Sequence, residues 1–257
     1  MSELVPQPFV SSLPVDGLSA GTSPTLLALE DVHTYIAGSH ILQGVTFDVT
    51  AGETTVLIGR NGAGKSTTLR TIMGILSPAK GSIVLGGEEL SGKPSHLVAR
   101  QGVGYVPEDR DVFASLTVEE NLTLAQRSGA SRGTAGIAQA YALFPDLRGP
   151  RGRSASAMSG GQQQMLAIAR ALVNRNRVVL VDEPTKGLAP VIVKQLAAIF
   201  QSLRDEGETI LLVEQNLEFA QAVGHRYFVL DDGRIVHGGR MDELRSEPEY
   251  LRRYIGV

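Results

Sequence analysis

Two groups of residues in this 257-residue chain have the types and spacing needed for phosphate chemistry. The first is Gly59-Arg60-Asn61-Gly62-Ala63-Gly64-Lys65-Ser66, followed by Thr67. It fits G-x-x-x-x-G-K-[ST], in which glycines let the backbone aim several N–H groups at one oxyanion. A helix starting at the same place adds partial positive charge. Lys65 would reach the β- and γ-phosphates of a bound nucleotide, and the Ser66 hydroxyl would ligate Mg²⁺. The second group is Asp182-Glu183, two acids that end the apolar run Val178–Val181. Acids at the carboxyl end of a parallel strand face the crevice where ligands bind. Asp182 is therefore a candidate for holding Mg²⁺ through water, and Glu183 for polarising an attacking water.

Both groups need elements to position them. Thr54–Ile58 reads as a buried strand running into the glycine turn, and a helix is predicted from Lys65 to about Met73. The alternation of Val45, Phe47 and Val49 with Thr46, Asp48 and Thr50 predicts a half-buried strand over Gly44–Thr50. Short strands are predicted at Ile83–Leu85 and Gly104–Val106. Val118–Leu147 is mostly helical, broken by Gly129, Gly133 and Pro145, and Gly149–Ser159 is loop-like. Gly160–Asn174 is predicted helical, with Met165, Leu166, Ala169, Leu172 and Val173 on one face. Val178–Val181 and Thr209–Val213 are buried strands flanking a helix over Pro190–Leu203. Arg226–Leu230 and Arg234–Val236 form a hairpin around Asp231-Asp232-Gly233. The alternation of strands and helices implies an α/β fold with a mainly parallel core sheet and antiparallel strands at one side.

A third group narrows the reading. Ser159-Gly160-Gly161-Gln162 precedes a helix, where Ser159 can cap and the glycines can offer N–H groups to a γ-phosphate. With the cradle upstream, a helical stretch between, and the acids just downstream, the chain resembles the ABC ATPases. Their signature is Leu-Ser-Gly-Gly-Gln, and Met158 stands here in its first place. The resemblance spans about Leu26–Val257. It implies a P-loop ATPase domain over 26–257 with a helical signature subdomain inserted at about 108–165, after a flexible tail over 1–25. It also implies ATP and Mg²⁺ as cofactors. Two subunits would pair head to tail, as homodimer or heterodimer, each ATP lying between one cradle and the opposite signature.

Three positions depart from the common pattern. Glu108 stands where the family places a metal-contacting glutamine after Gly104-Tyr105-Val106-Pro107. Gln215 stands where most members carry a switch histidine; it can hydrogen-bond a phosphate or water but cannot shuttle a proton as imidazole does. Gly187-Leu188-Ala189-Pro190 stands where the family often has an Ala-Leu-Asp or Gly-Leu-Asp loop. These runs, with Leu116–Leu122, Ser39–Gly44 and Leu212–Asn216, are similar to the smaller ATP-binding subunit of branched-chain amino acid importers. That similarity implies permease partners, a solute-binding protein acting indirectly, and a peripheral place on the cytoplasmic face of the membrane. Urea or short amides are competing cargoes, and a soluble, non-transport ABC ATPase is a competing class. The family's adenine-stacking aromatic would be Tyr35, although the spacing favours Ile36. Val112, Phe113 and Leu116 either dock the permease or pack the insert.

Composition excludes other classes. A net charge of −3 gives no basic field for nucleic acid, and the absence of cysteine rules out disulfides and thiolate metal sites. The five histidines lack metal-site spacing, no apolar run is long enough to span a bilayer, and Met1–Pro24 does not read as a secretory signal.

Overall fold

The structure, a computed structural model, describes residues 24–127 and 133–244. Most of the expected tail, the break at Gly129 and the last residues of the expected domain lie outside them. In chain order the elements are β1 (Thr25–Ile36), β2 (Ser39–Thr50), β3 (Thr54–Ile58), α1 (Lys65–Ile72), β4 (Lys80–Leu85) and β5 (Glu88–Glu89). Then come α2 (Ser95–Arg100), β6 (Val103–Val106), α3 (Val118–Ala125), α4 (Gly133–Leu143) and α5 (Gly160–Leu172). The rest are β7 (Val178–Asp182), α6 (Pro190–Asp205), β8 (Ile210–Glu214), α7 (Leu217–Val223), β9 (Arg226–Asp231), β10 (Arg234–Arg240) and α8 (Met241–Leu244).

The strands form two sheets. One is antiparallel in the order β2-β1-β4-β5; the other runs β10-β9-β3-β8-β7-β6. In the second, all neighbours are parallel except β9 and β10. Its central strands read as continuous apolar runs because both faces are covered. Val56, Ile58, Val179, Val181, Ile210 and Leu212 point into a core shared with α5, α6 and α7. Leu57, Val178, Leu180, Leu211 and Val213 point the other way, into a core shared with α1 and the antiparallel sheet. Full burial of each such side chain stabilises by about 1.5–3 kcal/mol.

The helices begin where local chemistry starts them. Thr117 and Glu120 make a capping box for α3, and Pro190 occupies the first turn of α6. The hairpin joining β9 to β10 turns on Asp232 (φ 43°) and Gly233 (φ 72°), the left-handed pair of a two-residue turn. This turn is wedged against the first third of the chain. Gly233 N–H donates to the Ala63 carbonyl at 3.0 Å, and its carbonyl accepts from Gln43 N–H at 2.8 Å. A Cβ on Gly233 would stand 2.1 Å from the Ile41 carbonyl oxygen, so only glycine fits.

Candidate active site

The cradle leaves β3 and closes on α1. Gly64 is the residue before the helix, with φ 107°, and a Cβ there would be 2.9 Å from Leu42 Cδ2. A larger residue would therefore be strained both in its backbone and against β2. Lys65 is buried, and its Nζ donates to the carbonyls of Gly59 (2.9 Å) and Arg60 (3.0 Å). Nζ also lies 3.3 Å from Glu183 Oε1.

Parallel pairing of β7 with β8, and of β8 with β3, carries the acids to this cradle. Ser66 Oγ donates to Asp182 Oδ1 at 3.0 Å, and the buried Oδ2 has no hydrogen-bond partner. Burial pushes the Asp182 carboxyl up to about 6, helped by the charges of Glu183 and Glu108 and opposed by the Ser66 hydrogen bond. A hydroxyl beside an orphaned carboxylate oxygen is a donor set suited to a hard divalent cation.

Glu183 has a left-handed backbone, φ 44°, and its N–H donates to the Val213 carbonyl at 3.0 Å. Gln215 Nε2 donates to Glu183 Oε1 at 2.6 Å and also to Asn61 Oδ1. One side chain thus links the cradle loop, the acid and the end of β8. Glu108 is not on Ser66 or Asp182; its carboxylate is paired with Lys186, whose Nζ is also 3.7 Å from Glu183 Oε2. Lys186 was not singled out by sequence: a solvent-facing lysine after the acids carries no spacing signal.

Tyr35 is exposed on β1 beside His40 of β2, and the carbonyl of Ile41, the next residue of β2, lies 3.5 Å from where a Cβ on Gly64 would stand. Thr34 is buried and hydrogen-bonded to Thr71 of α1, while Tyr35, one residue on, stacks at 4.3 Å and 7° on His40 across the strand pair. Ile36, the last residue of β1, is also exposed and pairs with Ser39.

Ser159 caps α5 in a capping box with Gln162: Ser159 Oγ accepts from Gln162 N–H at 3.2 Å, and Gln162 Oε1 accepts from Ser159 N–H at 3.1 Å. A Cβ on Gly160 would lie 3.0 Å from Arg110 Nη1, and one on Gly161 3.1 Å from Ile192.

A glycine cradle opening a helix beside parallel strands, an acid pair ending a strand one removed from the cradle strand, and a second capped helix start define a P-loop ATPase of the cassette type. The model of the ABC transporter family matches residues 42–186, and the chain belongs to that family. It is 42% identical over 232 residues to the high-affinity branched-chain amino acid transport ATP-binding protein BraG of Pseudomonas aeruginosa, covering 90% of this chain and 100% of that protein. It is 37% identical over 220 residues to the probable branched-chain amino acid transport ATP-binding protein LivF of Archaeoglobus fulgidus, covering 85% and 93%. Among solved structures, the dimeric ATP-binding cassette MJ0796, bound to ADP and Pi, matches with a TM-score of 0.75 at 25% identity, covering 84% of this chain and 99% of that one.

Proposed function

We propose that this chain is the ATP-binding and ATP-hydrolysing subunit of an ABC importer that takes up branched-chain amino acids. One observation carries the chemistry: Lys65, Ser66, Asp182, Glu183 and Gln215 converge from three strands onto the end of one helix. The names of BraG and LivF support the cargo.

In this reading Gly59–Ser66 and Thr67 grip the phosphates, and Lys65 turns from its carbonyl partners to the β- and γ-oxygens. Mg²⁺ would be held by Ser66 and Asp182, with Glu108, here paired with Lys186, as a further candidate ligand, and would neutralise charge on those oxygens. Glu183 accepts the proton of the attacking water, and Gln215 orients Glu183 and the γ-phosphate. Tyr35, exposed beside His40, is the candidate to stack on the adenine, with Ile36 next to it as the alternative. Ser159, Gly160, Gly161 and Gln162 act on the ATP of a partner subunit; MJ0796, a cassette of the same fold, is dimeric.

Among the described residues no helix is long and apolar enough to cross a membrane. Transport then depends on permease partners, which would hold the chain at the cytoplasmic face. Their docking place is a cleft of about 500 Å³ between the core and the insert, lined by Tyr105, Val112, Phe113, Ala125 and Arg170 among others. Phe113 is exposed and lies under the Arg170 guanidinium, 4.7 Å from ring centroid to Cζ, while Val112 packs inward on the core.

The test is uptake of labelled leucine, valine and urea by cells with and without this chain. Loss of leucine and valine uptake alone supports the assignment. Loss of urea uptake with normal leucine uptake would reassign the cargo.

A further inference from the structure

Glu214 closes β8 and has no part in the chemistry above. Its side chain is buried, yet its carboxylate accepts four hydrogen bonds. Oε1 accepts from Thr185 N–H at 3.1 Å and from the Thr185 hydroxyl at 2.7 Å. Oε2 accepts from the N–H groups of Gln215 and Asn216, each at 2.9 Å. Burial pushes the Glu214 carboxyl up, and these donors pull it back. An ionised carboxylate can accept at all four positions. A carboxylic acid or an amide would turn a hydrogen toward a backbone N–H.

The two ends of this clamp are the two arms of the hydrolytic pair. Thr185 lies two residues beyond Glu183, whose left-handed backbone persists only if its surroundings hold it. Gln215 is held at its own N–H, and its side chain then reaches Glu183 Oε1. The contacts close a ring: Glu183, Thr185, Glu214, Gln215 and back to Glu183.

We propose that Glu214 is a positioning residue for hydrolysis. It ties the segment after Glu183 to the segment carrying Gln215, and so sets where the water-polarising carboxylate stands. This rests on the assignment of Glu183 and Gln215 above. The shape of Glu214 suits the task, because both carboxylate oxygens are used and each takes donors from a different loop.

The experiment is steady-state ATP hydrolysis and ATP binding by the full chain carrying Glu214→Gln, Thr185→Val or Thr185→Ser, with Glu183→Gln as reference. Glu214→Gln, which keeps the shape and loses an acceptor, is expected to lower kcat about tenfold or more while KM for ATP stays within about threefold. Thr185→Val removes the 2.7 Å bond alone and is expected to lower kcat about threefold or more, with Thr185→Ser restoring most of the rate. A Glu214→Gln protein that melts normally and turns over at the wild-type rate overturns the proposal. If that variant does not fold, Thr185→Val decides, and an unchanged kcat overturns it equally. Undiminished hydrolysis in Glu183→Gln overturns instead the reading of Glu183 on which the proposal rests.

Discussion

The cradle and the start of α5 are both glycine-rich helix openings suited to phosphate, yet they are built differently. At the cradle, the functional groups are already engaged with one another: Lys65 with two carbonyls and Glu183, Ser66 with Asp182, Gln215 with Asn61 and Glu183. At the start of α5, the polar side chains are satisfied within one turn by the Ser159–Gln162 capping box. Its glycines lie against Arg110 and Ile192. A helix start that caps itself is rigid and presents its remaining N–H groups outward. The cradle is thus assembled within the chain, whereas in the function proposed above the start of α5 would complete the site of a second molecule.

That contrast can be broken by substitution. Lys65→Ala should reduce ATP turnover by about 10³-fold or more and weaken binding in the isolated chain, because the cradle loses its mobile cation. Radiolabelled ATP hydrolysis and equilibrium binding would show it. Glu183→Gln should bind ATP normally and hydrolyse it about 10²-fold more slowly. In that variant, ATP should also shift the chain toward a dimer on size-exclusion chromatography. Ser159→Ala should leave ATP binding to the monomer unchanged and lower turnover by about tenfold, since its cap, worth about 1 kcal/mol, stabilises only the displayed half-site. Equal losses of monomer binding for Lys65→Ala and Ser159→Ala would erase the distinction.

The smallest effect concerns acidity. The Asp182 carboxyl is raised from its ordinary 3.8 to about 6, so the fold favours its protonated form. The stability this contributes is complete below pH 3.8 and is lost as pH rises through about 6. Its size is at most on the order of 3 kcal/mol. Without metal, Asp182→Asn should therefore flatten the melting temperature between pH 4 and 7, measured with a chelator present. With metal, apparent Mg²⁺ affinity should fall about tenfold per pH unit below 6, because the ligand must lose its proton.

The sequence disclosed most where one pattern dominated. Val178–Val181 is a continuous apolar run and Thr54–Ile58 an unbroken run of β-branched residues and leucine, and both are strands with two covered faces. The Asp-Gly turn was readable because few residues accept positive φ. By contrast, β1 was unread, since register shifts break its alternation and Asp31 takes a left-handed turn within it. β10 extends to Arg240, beyond the expected Val236, because Gly238 and Gly239 carry no strand signal. At the site, linear motifs exposed the cradle, the acids and Ser159–Gln162. They could not expose Glu214, which matters through four contacts drawn from two loops, nor which face of β1 Tyr35 occupies.

The wedge formed by Gly233 has a bearing on biosynthesis. The cradle strand β3 is flanked on both sides by strands made more than a hundred residues later, and the loop's own Ala63 is braced by the last hairpin. A nascent chain still short of Gly233 holds every phosphate-gripping residue but lacks the brace. The cradle loop therefore gains this support only once synthesis has passed Gly233.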